Sequence, residues 1–220
     1  MLKGAIFDVD GTLLDSMPIW EDAGARYLKS IQVEPEEHLS EILWNMTIPE
    51  GAAYVKKQYH LSVTEEEIIA GIIGTVRTFY EEEATLKPGA RAFLEDLRKR
   101  KIPMVIATTS NRSYLEAAFE RTGIHEYFDR IFTCDEVGAG KTKPVIYQVA
   151  AEYLGFKPEE IFVFEDAEHA IMTAKQAHFQ VVAIYDAASA HLEESIRENS
   201  DLYLKDFTET EAFWTYVENE

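Results

Sequence analysis

Hydrophobic residues recur along the chain with two different periods, and these periods divide it into segments. From about residue 87 onward, short runs of apolar and β-branched residues alternate with stretches in which apolar residues recur every three to four positions. Buried strands are predicted at residues 104–108, 161–164 and 181–185, and the opening run at residues 5–7 adds a fourth. This alternation of strands and helices is typical of an α/β protein with a parallel sheet.

A different pattern occupies the segment between the first strand and the rest of the sheet. There the strand signal disappears and helical periodicity replaces it. One predicted helix has an inner face formed by Trp20, Ala23, Gly24, Tyr27, Leu28 and Ile31. Another begins with a capping box at Thr64 and Glu67 and has an apolar face formed by Ile69, Ile72, Ile73, Val76 and Tyr80. We therefore predict an α/β core at residues 1–15 and 86–220, with an all-helical insertion at residues 16–85.

The composition indicates a folded chain and restricts its partners. Of the 220 residues, 46% are hydrophobic, which is enough to bury a sizeable core. Forty acidic residues against 21 basic ones give a formal net charge of −19, which disfavours DNA and RNA as partners. The same charge repels anionic small molecules, so a phosphorylated substrate would need a metal ion or local cations in order to bind.

The cysteine content and the hydropathy pattern indicate an intracellular protein. Cys134 is the single cysteine, which excludes an internal disulfide and favours a small buried hydrophobe at this position. The apolar run at residues 5–7 is far shorter than a signal peptide, and no segment approaches 18 uncharged apolar residues. We expect a soluble, cytoplasmic monomer with no membrane partner.

Candidate functional residues follow the predicted strands, at the edge where parallel sheets bind their ligands. These residues are Asp8, Asp10, Thr108, Thr109, Ser110, Asn111, Lys141, Glu165 and Asp166. Taken singly, each has a structural explanation: Asp10 can form a turn, Ser110 or Asn111 can cap a helix, and a lysine can be a surface charge. Their combination points to chemistry instead.

The acidic residues in this set favour a bound cation. Carboxylates at the ends of two adjacent strands repel each other unless a cation lies between them. A site made only of oxygen ligands suits Mg²⁺. A hydroxyl, a lysine and a metal ion around one aspartate form a pocket for a phosphoryl group, so the expected partner is a small phosphorylated molecule.

Four motifs resemble those of the haloacid dehalogenase superfamily, in its β-phosphoglucomutase-like phosphatase branch with a helical cap. The first is Asp-x-Asp-Gly-Thr at Asp8 to Thr12, and the second is the strand-terminal Thr108. The third is a lysine before a proline and an aromatic residue, which aligns with Lys141; Lys143 is the alternative because Thr142 replaces the usual first proline. The fourth is the acidic pair Glu165-Asp166, followed here by alanines where serine and glycine are usual. This resemblance covers nearly the whole chain and implies a Rossmann-like core with an inserted cap.

The resemblance also implies a role for each candidate residue. Asp8 would be the nucleophile that forms an aspartyl-phosphate, and Asp10 would be the general acid and base. Mg²⁺ would be held by the carboxylates of Asp8 and Asp166, the backbone carbonyl of Asp10, and waters oriented by Glu165. The transferring phosphoryl group would be bound by Thr108, Lys141 and backbone N–H groups from Thr109 to Asn111. Glu136 is a candidate orienting partner for Lys141, although a surface ion pair explains it equally well.

The predicted function is a Mg²⁺-dependent phosphatase that hydrolyses a small phosphomonoester. One alternative is a phosphomutase of the β-phosphoglucomutase type. Those enzymes, however, carry a histidine where this chain has Trp20, and an arginine-containing loop where it has residues 44–48. A second alternative is a non-catalytic phospho-acceptor or binding-only homologue. Receiver modules of that kind are about half this length, with their aspartate in mid-chain.

Overall fold

The structure, a computed structural model, describes residues 2–44 and 46–219. Its strands are β1 Gly4–Phe7, β2 Leu14–Asp15, β3 Thr85–Leu86, β4 Met104–Thr108, β5 Arg130–Thr133, β6 Ile161–Glu165, β7 Gln180–Ile184 and β8 Leu202–Leu204. Within the described residues, six strands form one parallel sheet in the order β5-β4-β1-β6-β7-β8. The short strands β2 and β3 pair with each other in antiparallel orientation. The predicted parallel α/β sheet is confirmed.

Helices follow most of these strands and fill the segment between β2 and β3. They are α1 Met17–Ser30, α2 Leu39–Trp44, α3 Ile48–Gln58, α4 Glu65–Glu82, α5 Ala90–Lys99, α6 Arg112–Thr122, α7 Cys134–Val137, α8 Val145–Leu154, α9 Glu168–Gln176, α10 Glu193–Asn199 and α11 Thr210–Asn219. A helix that connects two parallel strands covers one face of the sheet, which explains why the central strands are apolar throughout.

The two central strands, β1 and β6, direct alternate side chains to opposite faces of the sheet. Ile6 and Val163 belong to a buried cluster that includes residues of α8 and α9. Phe7 and Phe164 stack on the other face with ring centroids 4.3 Å apart, and Phe93 of α5 lies edge-on to both. Each buried aromatic ring contributes about 1.5–3 kcal/mol to stability. Packing on both faces therefore fixes the carboxyl ends of β1 and β6.

The two edge strands of the sheet, β5 and β8, were not predicted. β5 begins at an exposed Arg130, and β8 has only three residues, of which Leu202 and Tyr203 are half-buried. An edge strand is paired on one side only and needs no long apolar run. Neither segment therefore carries the continuous hydrophobic pattern that identified the buried strands.

Contacts divide the chain into an α/β unit, Met1–Asp15 with Thr85–Glu220, and a helical unit, Ser16–Ala84. Thr85, predicted to lie in the insertion, pairs with Asp15 in the β2–β3 ribbon and belongs to the α/β unit.

The helical unit has its own apolar cluster, which includes Tyr27 and Leu28 of α1 and Ile68 of α4. The predicted capping box at Thr64 and Glu67 starts α4. The predicted inner faces need correction, because Trp20, Ile31 and Ile73 are exposed, whereas Ile68 and Phe79 are buried. Apolar spacing located these helices but did not fix which residues their neighbours cover. Asn45, in the loop compared above with that of the mutases, lies outside the described residues.

Among the residues that the structure describes, no helix has both the length and the apolar composition that a membrane span requires.

Gly89 is predicted to be essential for packing the start of α5. Its φ is +77°, and a Cβ added there would lie 2.5 Å from the Phe207 carbonyl carbon. Gly155 is a matched control, with a φ of +75° and, apart from the adjoining chain, no neighbouring atom of the described residues within 4 Å of the position that a Cβ would take. Gly155→Ala should lower the free energy of unfolding by roughly 1–2 kcal/mol, because alanine disfavours the left-handed backbone conformation. Gly89→Ala should lower the free energy of unfolding by a further ~1–3 kcal/mol, because its Cβ would collide with the backbone of Phe207. Urea unfolding of the two variants measures the difference, and equal costs would contradict the assignment.

Candidate active site

The pairing of strands brings the two acidic motifs together. Phe7 lies opposite Phe164 in the β1–β6 ladder, and the Asp8 N–H continues that ladder by donating to the Phe164 carbonyl at 3.0 Å. Asp8 therefore lies beside the end of β6, where Glu165 and Asp166 follow. On the other side of β1, β4 ends at the fully buried Thr108. The carboxyl ends of β1, β4 and β6 are therefore adjacent. Four of the predicted residues lie there: Asp8, Thr108, Glu165 and Asp166.

A buried lysine bridges two of the carboxylates. Lys141 is 4% exposed, and its Nζ donates to Asp8 Oδ1 and, at 2.6 Å, to Glu165 Oε1. Tyr147 of α8 donates its hydroxyl proton to the same Glu165 oxygen at 2.7 Å. Lys143, the alternative, is exposed. Lys141 is therefore the lysine that lies in the acidic cluster.

Asp8, Glu165 and Asp166 form a group of buried carboxylates with the composition of a metal site. One oxygen from each lies within 4.8 Å of the others. Thr12 donates its hydroxyl proton to Asp166 Oδ1 at 3.1 Å, which restrains that carboxylate. Three carboxylates against the single ammonium of Lys141 leave an excess of negative charge, and hard oxygen ligands of this kind suit a divalent cation.

The electrostatics of this cluster favour protonated carboxyl groups when no cation is bound. Burial raises the pKa of Asp8 to about 8, with repulsion from Glu165 adding to the shift and attraction to Lys141 opposing it. Burial, followed by the charges of Asp8 and Glu165, raises the pKa of Asp166 well above its usual value. Burial acts to lower the pKa of Lys141, but the carboxylates of Asp8 and Glu165 more than offset it, so Lys141 stays charged.

The residues after β4 have different positions with respect to this cluster. Thr108 Oγ1 accepts the Ser110 N–H at 3.1 Å. Thr109 is exposed, and Asn111 is the N-cap of α6, where its Oδ1 accepts the Ser113 N–H at 3.0 Å. The side chain of Asn111 therefore caps α6. The predicted contribution of Asn111 to phosphate binding rests on its backbone N–H.

Asp10 lies on the turn that follows β1 and is half-buried. Its Oδ2 accepts a hydrogen bond from the Ser110 hydroxyl. From the sequence, Ser110 is expected only as a helix cap or a backbone donor. Its position two residues after Thr108, at the functional edge of the sheet, was the signal available for its side chain.

A second buried ion pair lies at the same edge of the sheet and was also missed. Lys87 directly follows β3, and its Nζ donates to Asp186 Oδ2 at 2.6 Å and to the Tyr185 carbonyl at 3.1 Å. Asp186 follows β7, and its charge is one of those that raise the pKa of Asp166. An acid shortly after a predicted strand was the signal in the sequence, whereas the partner of Lys87 depends on folding.

Glu136 does not orient Lys141, and that expectation is wrong. Its carboxylate receives a two-pronged ion pair from Arg112, at 2.8 and 2.7 Å, and also accepts the Thr133 N–H at the start of α7. Arg112, at the start of α6, is close enough to pair with Glu136 once β4 and β5 are adjacent. The surface ion pair was the correct interpretation.

Comparison with known proteins identifies the family of this chain. A family model described as haloacid dehalogenase-like hydrolase matches residues 2–178. The chain is 29% identical over 218 residues to validoxylamine A 7′-phosphate phosphatase of Streptomyces hygroscopicus subsp. limoneus, covering 99% of each chain. It is 31% identical over 183 residues to hexitol phosphatase A of Escherichia coli strain K12, covering 83% of this chain and 82% of that protein.

Solved structures share the fold. A putative β-phosphoglucomutase from Thermotoga maritima superposes with a TM-score of 0.82 at 24% identity, covering 93% of this chain and 94% of that one. This likeness confirms the Rossmann-like α/β core. The family match covers well over half of the sequence, so the resemblance carried by the four motifs is confirmed and the protein is an enzyme. The chain belongs to the haloacid dehalogenase-like hydrolases.

Proposed function

We propose that this protein is a Mg²⁺-dependent phosphatase that hydrolyses a phosphomonoester of a small carbohydrate or polyol through an aspartyl-phosphate. The observation that carries the proposal is the buried cluster in which Lys141 bridges Asp8 and Glu165 beside Asp166. The class of substrate is supported by relatives named for phosphorylated carbohydrates and hexitols. Those names also favour hydrolysis over a mutase reaction.

Asp8 is the proposed nucleophile. A carboxylate oxygen of Asp8 attacks phosphorus, a new P–O bond forms, and the bond from phosphorus to the ester oxygen breaks. Water then attacks phosphorus, the bond from phosphorus to Asp8 breaks, and inorganic phosphate leaves. Asp8 suits this role because its ladder bond to Phe164 fixes its backbone and Lys141 fixes one carboxylate oxygen.

Asp10 is the proposed general acid and base. It gives a proton to the ester oxygen as the alcohol leaves, and it takes a proton from water as the aspartyl-phosphate is hydrolysed. Its place two residues beyond Asp8, on the turn after β1 and half-buried, is consistent with access to both the leaving group and the incoming water. One residue thus serves both halves of the reaction.

Binding of the phosphoryl group is assigned to Thr108, Lys141 and the N-terminal end of α6. The Thr108 hydroxyl accepts the Ser110 N–H, which leaves its own proton to donate. Lys141 supplies a positive charge within the cluster, and the backbone N–H groups of Thr109 and Asn111, just before and at the N-terminal end of α6, supply further donors. Together these groups oppose the negative charge on the equatorial oxygens.

The carboxylates of Asp8 and Asp166 and the backbone carbonyl of Asp10 would hold Mg²⁺, with waters oriented by Glu165. When bound, the ion supplies positive charge that offsets the excess of carboxylates and draws in an anionic phosphate. The helical unit is the proposed cap that selects the substrate.

Lys141 should be far more important than Lys143. Lys141→Met removes the charge that holds Asp8 and that binds phosphate, and it should lower turnover of p-nitrophenyl phosphate by about 100-fold to 1,000-fold. The matched variant Lys143→Met changes an exposed side chain and should leave turnover close to that of the wild type. Circular dichroism establishes that both variants are folded. The reverse ranking would assign the phosphate-binding role to Lys143.

Substitutions of the two aspartates of the first motif should impair the reaction in different ways, and this difference tests the proposed function. Asp8→Asn should abolish turnover of every ester, because an amide cannot form the aspartyl-phosphate. Asp10→Asn should suppress cleavage of an alkyl phosphate yet still release p-nitrophenol, a good leaving group, in a burst followed by slow turnover. Rapid-mixing kinetics and mass spectrometry of the phosphorylated protein measure both outcomes. Losses of equal size for the two esters, with no burst, would show that Asp10 is not the acid and base.

A further inference from the structure

Ser110 is a buried residue that lies directly beyond the functional end of β4. Its N–H is held by Thr108 Oγ1 at 3.1 Å, and the residue is 7% exposed. The helix that follows is capped by Asn111, so Ser110 is not needed to start α6. Its buried hydroxyl therefore has a different use from the helix cap expected at this position.

The Ser110 hydroxyl contacts Asp10 of the first motif, at the same edge of the sheet. Ser110 Oγ donates a hydrogen bond to Asp10 Oδ2, although the two residues are 100 positions apart in the chain. Asp10 stands on a turn and is half-buried, and an aspartate side chain rotates about two bonds. A bond from a fixed hydroxyl to one carboxylate oxygen restrains both rotations.

We propose that Ser110 is a positioning residue for Asp10, and that its hydroxyl holds the Asp10 carboxyl group in the orientation needed for proton transfer to the leaving alcohol and from water. This inference rests on the proposed phosphatase reaction. Ser110 itself forms and breaks no bond to phosphorus. It acts through Asp10, because an acid that is misplaced by about 1 Å loses much of its catalytic effect.

A hydroxyl is well suited to a partner that alternates between two protonation states. It donates to Asp10 when that side chain is a carboxylate, and it can accept from Asp10 when the side chain is a carboxylic acid. A lysine would favour the carboxylate alone, as Lys141 does for Asp8. The contact between Ser110 and Asp10 can therefore persist through both halves of the reaction.

The test compares two leaving groups in two genetic backgrounds. Ser110→Ala is made in the wild type and in Asp10→Asn, and kcat/KM is measured for mannitol 1-phosphate and p-nitrophenyl phosphate. This constant reports the steps up to release of the alcohol. Ser113→Ala is the matched control, because the Ser113 hydroxyl lies in the same helix cap and donates to Asn111 Oδ1 at 2.8 Å.

We expect Ser110→Ala to lower kcat/KM for the hexitol phosphate by about 10-fold to 100-fold and to leave the aryl ester nearly unchanged, because only the alkyl alcohol needs an acid. In the Asp10→Asn background the same substitution should have no further effect on either ester. Ser113→Ala should resemble the wild type.

Equal losses for both esters, or a full additional loss in the Asp10→Asn background, would overturn the inference and give Ser110 a purely structural role. A wild-type level of activity in Ser110→Ala would overturn it as well. Absence of turnover of both esters by the wild-type protein with Mg²⁺ would instead overturn the proposed function, and the inference with it.

Discussion

The rest of the site depends on the burial of three carboxylates around one ammonium group. Asp8, Glu165 and Asp166 are each less than a tenth exposed, and Lys141 is the cation bonded to two of them. Water would normally stabilise such charges, and in its absence each carboxylate raises the energy of the others. The cluster therefore favours either protons or a divalent cation. In a protein of charge −19, a cation bound there would also attract an anionic ligand.

The parallel sheet supplies the rigidity that holds this unfavourable arrangement together. Aromatic stacking of Phe7 on Phe164 and the aliphatic packing around Ile6 fix β1 and β6 from both faces. The carboxyl groups project from the ends of these strands, so they cannot separate without disrupting the core. Hydrogen bonds from Thr12 and Tyr147 then restrain the individual carboxylates. The stability of the core thus offsets the electrostatic cost of the site, as is common for functional sites.

Much of this arrangement could be predicted from sequence, because motifs at strand ends report directly on position. Asp8 and Asp166 follow buried apolar runs, and the order of such runs placed them at one edge of a sheet. Ser110 and Tyr147 were not assigned, because a hydroxyl after a strand or on a helix face has several uses and its partner is chosen by tertiary contacts. The two interpretations of Glu136 could not be separated from sequence for the same reason, since Arg112 approaches it only after β4 and β5 pair.

The most direct measurement is the stabilisation by Mg²⁺ as a function of pH, from thermal unfolding between about pH 6 and about pH 9. Burial raises the pKa of Asp8 in the metal-free folded protein from 3.8 to about 8, so folding stability falls as the pH rises between these two values and levels off above the higher one. The metal-free protein should therefore lose stability over this range, and the increase in stability on addition of Mg²⁺ should become larger. Asp166→Asn, with one charge fewer, should reduce both changes. An increment that is independent of pH, or that persists in full in Asp166→Asn, would contradict a site organised by repelling carboxylates.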